Sequence, residues 1–127
     1  MSTYQKMLIA DDEPDIRELL RLFFEQQNFA ITLASDGLDA VAKAHDTNPD
    51  IILMDIQMPR ATGIDAVRML RNEEQFKHLP IIAVTAYARK YSNADLAEAG
   101  FNRVAYKPID FAQLQMMVQT LLQFQTT

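Results

Sequence analysis

Five times along this chain a short apolar run gives way to an amphipathic stretch. The runs are KMLIA (6–10), AITLA (30–34), DIILM (50–54), PIIAVT (80–85) and RVAY (103–106). Runs this short suit strands, and runs this apolar suit strands covered on both faces. Between them, apolar residues recur at helical spacing: Ile16, Leu19, Leu20 and Phe23, then Leu38, Val41 and Ala42, then Ile64, Val67 and Leu70. Phe111, Leu114, Val118 and Leu121 mark the last such stretch, and a weaker, more polar one runs through Asp95 to Ala99, with Gly100 placed to cap it. Pro14 suits the first turn of the first helix. Strands alternating with helices predict an α/β fold of (βα)5 type: a doubly wound, five-stranded parallel sheet with right-handed crossovers. At 127 residues the chain is expected to be one domain, 1–127, large enough to bury a core without disulfides. No linker or repeat breaks the pattern. It ends at the fifth helix, so no output domain is expected.

Composition removes several functions. The formal net charge is −5, which argues against direct nucleic-acid binding, because that needs a positive footprint. There is no cysteine, so disulfides, thiolate metal sites and a cysteine nucleophile are excluded. No apolar run is long enough to insert in a membrane, and MSTYQKM at the start lacks a signal-peptide core. A cytoplasmic location is the expectation.

In an open parallel α/β sheet, ligands bind outside the carboxyl ends of the strands. Just past the five runs stand Asp11 and Asp12, Ser35, Asp55, Thr85, and Lys107-Pro108. Each has an ordinary use on its own: a helix cap, a turn, a strand residue, a surface lysine. Together they bring three carboxylates, a hydroxyl and an ammonium to one sheet edge. Two carboxylates ~5 Å apart repel by roughly 3 kcal/mol at an effective dielectric of ~20. Three of them facing one lysine leave a negative hole that would repel an anionic phosphoryl group and attract a divalent cation. Glu13 and Asp15, in the same DDEPD run, are expected to be solvated first-turn acids favourable to the helix dipole.

The pieces IADDEPD (9–15), ILMDIQMPRATG (52–63), AVTAYA (83–88) and YKPID (106–110) resemble the receiver domain of bacterial two-component response regulators. The resemblance covers essentially the whole chain. It implies a CheY-like, flavodoxin-like sheet of order 2-1-3-4-5, which would set the first and third strands side by side. It also implies a phosphoacceptor function: a phosphoryl group passes from a phosphohistidine on a sensor histidine kinase or histidine phosphotransfer protein to Asp55. Slow autodephosphorylation then resets the domain, and a conformational change alters binding to a downstream protein target. Asp12 and Asp55 match direct ligands of Mg²⁺ (or Mn²⁺), with Asp11 acting mainly through water and the backbone carbonyl of Gln57 adding an oxygen. Lys107, the Thr85 hydroxyl and the Ala86 amide would meet the phosphoryl oxygens. A cis bond is implied at Lys107–Pro108. The partner is expected to dock beside the start of helix one and the Pro108-Ile109 turn, and Leu22 falls off the apolar stripe.

The chain departs from the family where many receivers carry an aromatic residue three positions before the lysine. Here that position is Val104, with Tyr106 two residues on along the same side of the strand and Tyr87 two residues after Thr85. The usual threonine–aromatic switch is therefore in question. After Asp55, Pro59 and Gly63 shape a loop in which Gly63 either takes a positive φ or is a plain spacer. Rival readings are a small-molecule aspartate-dependent phosphatase or phosphotransferase, a flavin-binding electron carrier of the same topology, an interaction module with a dead site, and a receiver fragment of a hybrid histidine kinase. The first typically needs a second acid two residues after its nucleophile, where Gln57 stands. The second needs a glycine- and hydroxyl-rich loop where this chain is acidic, with 3 glycines in all.

Overall fold

The computed structural model describes residues 4–86 and 90–123, so Tyr87 lies outside the described residues. Strands β1 (Gln5–Ala10), β2 (Phe29–Ala34), β3 (Ile51–Asp55), β4 (Ile81–Thr85) and β5 (Arg103–Tyr106) alternate with helices α1 (Pro14–Glu25), α2 (Gly37–Thr47), α3 (Gly63–Arg71), α4 (Asn93–Ala99) and α5 (Phe111–Gln123). All strand pairs are parallel and the order is β2-β1-β3-β4-β5. This is the doubly wound (βα)5 arrangement expected. A 3₁₀ turn at Glu74–Phe76, which the apolar pattern does not mark, carries the buried Phe76.

Every residue of β3 and β4 is buried, as the unbroken apolar runs require for strands with helices on both faces. Period-two alternation then divides the core. Leu8, Ile52, Met54, Ile81 and Ala83 pack on one face with α2, α3 and α4, and Met7, Ile9, Leu53, Ile82 and Val84 pack on the other with α1 and α5.

Two helices are rotated from the expected phase. In α1 the buried residues are Leu20 and Phe24, while Leu19 is 52% exposed. The bulkier Phe24 takes the core, where its ring meets Phe23 and Phe29 edge-on. In α2 the core face is Gly37, Ala40 and Ala44, with Val41 packed against it, whereas Leu38 and Ala42 face solvent. Small residues win there because α2 lies close to its neighbours. A Cβ on Gly37 would stand 2.1 Å from the Ala61 carbonyl oxygen.

Candidate functional site

The register of the ladder places the site. Ala10 pairs with Met54, so Asp11 emerges beside Asp55. Asp55 pairs with Val84 and Thr85 with Tyr106, so the ends of β4 and β5 step past it in turn. Lys107 continues that step, donating its backbone N–H to the Thr85 carbonyl at 2.9 Å. Residues separated by up to 96 positions thus meet at one edge because parallel strands end together.

Asp11 is buried and held from three sides. Its N–H donates to the Ala34 carbonyl at 3.1 Å, its Oδ1 accepts from the Glu13 N–H at 2.9 Å, and its own carbonyl accepts from Arg17 at 2.7 Å. Asp12, the next residue, points into solvent at the cleft. One carboxylate oxygen each from Asp11, Asp12 and Asp55 lies within 4.8 Å of the others.

Lys107 is the cation at this edge. Its Nζ is 3.2 Å from Asp55 Oδ2, 3.0 Å from Asp11 Oδ2 and 2.9 Å from Glu13 Oε1. Burial alone would lower its pKa, and the hydrogen bond to Glu13, the close contact with Asp11 and the charge of Asp55 together outweigh that and raise it. Asp55 is 5% exposed at its side chain. Burial first, and then the charge of Asp11, pushes its carboxyl up from 3.8 to about 6, with Lys107 and the Gln57 N–H (3.3 Å from Oδ1) pulling the other way.

The donor set fits a hard cation. Asp11 Oδ2 is a buried carboxylate oxygen with no aligned hydrogen bond among the described residues, its contact with Lys107 being an ion pair only. A buried anionic oxygen left this way normally has a further partner. A metal ion or a water on one would supply it, and oxygen-only ligation is what Mg²⁺ prefers.

The cleft over Asp55 measures about 230 Å³ and is lined by Asp12, Glu13, Asp55, Gln57, Ala86 and Lys107. Ala86 is exposed there, while Thr85 is wholly buried behind the lining. Ser35 stands apart from the cleft, its N–H bonded to Asp39 at the start of α2. Of the sequence-selected residues, then, Asp11, Asp12, Asp55, Gln57, Ala86 and Lys107 gather at the edge with Thr85 adjoining. Glu13 corrects the sequence reading: its carboxylate is a partner of Lys107 and not merely a solvated first-turn acid.

The loop after β3 also departs from expectation. Gly63 is not at positive φ. It is needed for close approach, since a Cβ there would stand 2.1 Å from the Asp55 carbonyl oxygen. The left-handed residue is Arg60, φ 66°, whose guanidinium bonds both oxygens of Asp36 at 2.9 and 3.0 Å. Asp36 in turn caps α2 through the Asp39 N–H. The loop carrying Gln57 is thereby pinned to the β2–α2 turn. The Lys107–Pro108 bond is cis.

A family model described as "Response regulator receiver domain" matches residues 7–119. The chain belongs to this receiver-domain family. Among curated relatives, the polar-differentiation response regulator DivK of Brucella ovis is 31% identical over 120 residues, covering 94% of this chain and 97% of DivK. The transcriptional regulatory protein ResD of Bacillus subtilis is 38% identical over 117 residues, and the regulatory protein AtoC of Escherichia coli is 35% identical over 126. Here the receiver spans 48% of ResD and 27% of AtoC. Among solved structures, the receiver domain of the sensor histidine kinase PA1611 from Pseudomonas aeruginosa, with magnesium coordinated in its active-site cleft, is 31% identical with a TM-score of 0.88, covering 95% of this chain and 99% of that one. The response regulator TrrA of Thermotoga maritima, in complex with Mg²⁺–BeF, is 31% identical with a TM-score of 0.82, covering 92% and 98%.

Two features of this receiver bear on how it differs from relatives. Val104 is half-buried against the α3–α4 side of the core, and Tyr106 is 38% exposed with its hydroxyl bonded to Asn93 at 2.5 Å. The aromatic of β5 therefore already touches the first turn of α4. On the other side, Leu19 and Leu22 of α1 are both exposed, at 52% and 46%. No helix among the described residues is long and apolar enough to cross a membrane.

Proposed function

We propose that this chain is a single receiver domain, 1–127, that takes a phosphoryl group on Asp55 and so relays a two-component signal. The observation that carries the proposal is the Asp55 carboxylate itself: nearly buried, 3.2 Å from an ammonium, and within 4.8 Å of two further carboxylates on the adjoining strand end. A carboxylate so placed can act as a nucleophile toward phosphorus. An Asp55 oxygen forms the new bond to phosphorus, the donor's phosphorus–nitrogen bond breaks, and its electron pair leaves with the imidazole. Lys107 and the Ala86 N–H would then receive the phosphoryl oxygens, with the Thr85 hydroxyl behind them. Asp12, Asp55 and the Gln57 carbonyl would hold Mg²⁺ or Mn²⁺, with Asp11 bonded through water. The metal, when bound, supplies the positive charge that lets an anion enter a site of carboxylates.

On this reading the domain catalyses only its own phosphorylation and slow dephosphorylation. The donor is the phosphohistidine of a sensor histidine kinase or histidine phosphotransfer protein in the cytoplasm. The docking surface in this reading is the start of α1 and the Pro108-Ile109 turn, with the exposed Leu19 and Leu22 further along α1, and the output is altered binding to a protein target. A small-molecule phosphatase is disfavoured by Gln57 where a second acid is expected and by membership of the receiver family. Exposure to a small phosphodonor with Mg²⁺ should add one phosphoryl mass, and excess EDTA should abolish it. Equal labelling in EDTA would refute the metal's part in the scheme.

A further inference from the structure

A lysine ammonium has three N–H bonds to give. Lys107 directs one to Glu13 Oε1 at 2.9 Å and one to Asp55 Oδ2 at 3.2 Å, with Asp11 Oδ2 beside it at 3.0 Å. Two of its three donors are thus engaged before any phosphoryl group arrives, and the ammonium also faces Asp11 as an ion pair. The three partners differ in freedom. The side chains of Asp11 and Asp55 are 1% and 5% exposed, and that of Glu13 is 60% exposed. Glu13 alone can swing into water without leaving a buried charge behind.

The local structure leaves Glu13 available for this contact. It stands at the N-cap of α1, where Ser, Thr, Asp or Asn would bond the free N–H groups of the first turn. Glu13 makes no such side-chain bond. Its backbone N–H orients Asp11, and its carboxylate reaches across to a residue 94 positions away. Neither helix capping nor plain solvation accounts for that reach.

We infer that Glu13 competes with the phosphoryl oxygens for Lys107 and so sets how readily this receiver enters its phosphorylated state. The inference rests on the phosphoacceptor reading above. A phosphoryl group on Asp55 and the Glu13 carboxylate are both anions directed at the same N–H. One must yield, and the exposed one does. Glu13 therefore holds Lys107 at the mouth of the cleft in the resting protein and must release it when the acceptor is loaded. A charge-assisted hydrogen bond is roughly twice as strong as a neutral one, so Glu13→Gln should release Lys107 more easily and favour loading on the order of fivefold.

The probe is beryllofluoride with Mg²⁺, a tetrahedral stand-in for the phosphoryl group, titrated into the whole chain and followed by NMR. E13Q should bind it about fivefold tighter than the unmodified chain, while its affinity for Mg²⁺ alone stays close to unchanged. Glu13→Asp keeps the charge but is one methylene too short for the contact, and should also bind more tightly. Unchanged or weaker beryllofluoride binding in E13Q overturns the inference, as does E13D matching the unmodified chain, since the effect would then be one of charge and not of contact. A large loss of Mg²⁺ affinity in E13Q also overturns it, by making Glu13 a metal ligand. If the unmodified chain binds no beryllofluoride, the phosphoacceptor reading itself has failed. Binding by the unmodified chain with no gain in E13Q isolates the failure to Glu13.

Discussion

Replacing Asp55 with asparagine should stabilise the metal-free protein, by an amount that falls as the pH is lowered. The carboxyl is pushed from 3.8 up to about 6, chiefly by burial and then by Asp11. At 1.36 kcal/mol per pKa unit, the ionised form carries a penalty of about 3 kcal/mol in the folded state. The sign follows from linkage. An acid whose pKa is raised on folding binds its proton more tightly in the native state, so the protein gains stability as pH falls through 6 and has the full gain below 3.8. Between pH 7.5 and 4.5 the gain is about 2 kcal/mol. Asparagine keeps the shape and never ionises. The D55N variant should therefore exceed the unmodified chain by about 3 kcal/mol at pH 7.5 and by about 1 kcal/mol at pH 4.5. For a chain of this length each kcal/mol moves Tm by about 4 °C, so the gap should shrink from about 12 °C to about 4 °C. Thermal unfolding of both proteins in EDTA across this range measures it. Titrating groups remote from Asp55, such as His45 paired with Glu73, are common to both proteins and drop out of the difference. Added Mg²⁺ should raise the unmodified chain more than D55N, because only the former keeps all three carboxylates. A gap that does not change with pH, or one of opposite sign, would refute the claim that Asp55 is electrostatically strained.

Lys107→Met keeps the length of the stem and removes the cation facing Asp11, Glu13 and Asp55, so labelling by a small phosphodonor should slow by about 100-fold, read from the time course of mass addition. Gly63→Ala should destabilise the fold by about 3 kcal/mol in urea unfolding, because its Cβ would stand 2.1 Å from the Asp55 carbonyl oxygen.

The strands were legible because a parallel sheet covered on both faces demands unbroken apolar runs, and β3 and β4 are buried throughout. The residues ending those strands could be singled out for the same reason: once the strands are placed, chain order alone brings Asp11, Asp55, Thr85 and Lys107 to one edge. What pattern does not carry is which neighbour fills a given volume. Leu19 and Phe24 both fit a helical stripe on α1, and only the space between α1 and the sheet decides for Phe24. Likewise, Gly63 is required by an oxygen of Asp55 that comes close only after the β3–α3 loop has folded back, with the positive φ falling at Arg60 instead. Glu13 was missed because its partner lies 94 residues away and its own neighbours describe an ordinary helix start. An N-cap glutamate, a poor residue for that position, is the one local sign that its side chain is committed elsewhere.

The acceptor role of Asp55 is open to a direct test by mass. The protein should be incubated with a small phosphodonor and Mg²⁺, then weighed intact before and after hydroxylamine. One phosphoryl mass that hydroxylamine removes, present in the unmodified chain and absent from Asp55→Asn, is the expected result. Equal labelling of Asp55→Asn would contradict it.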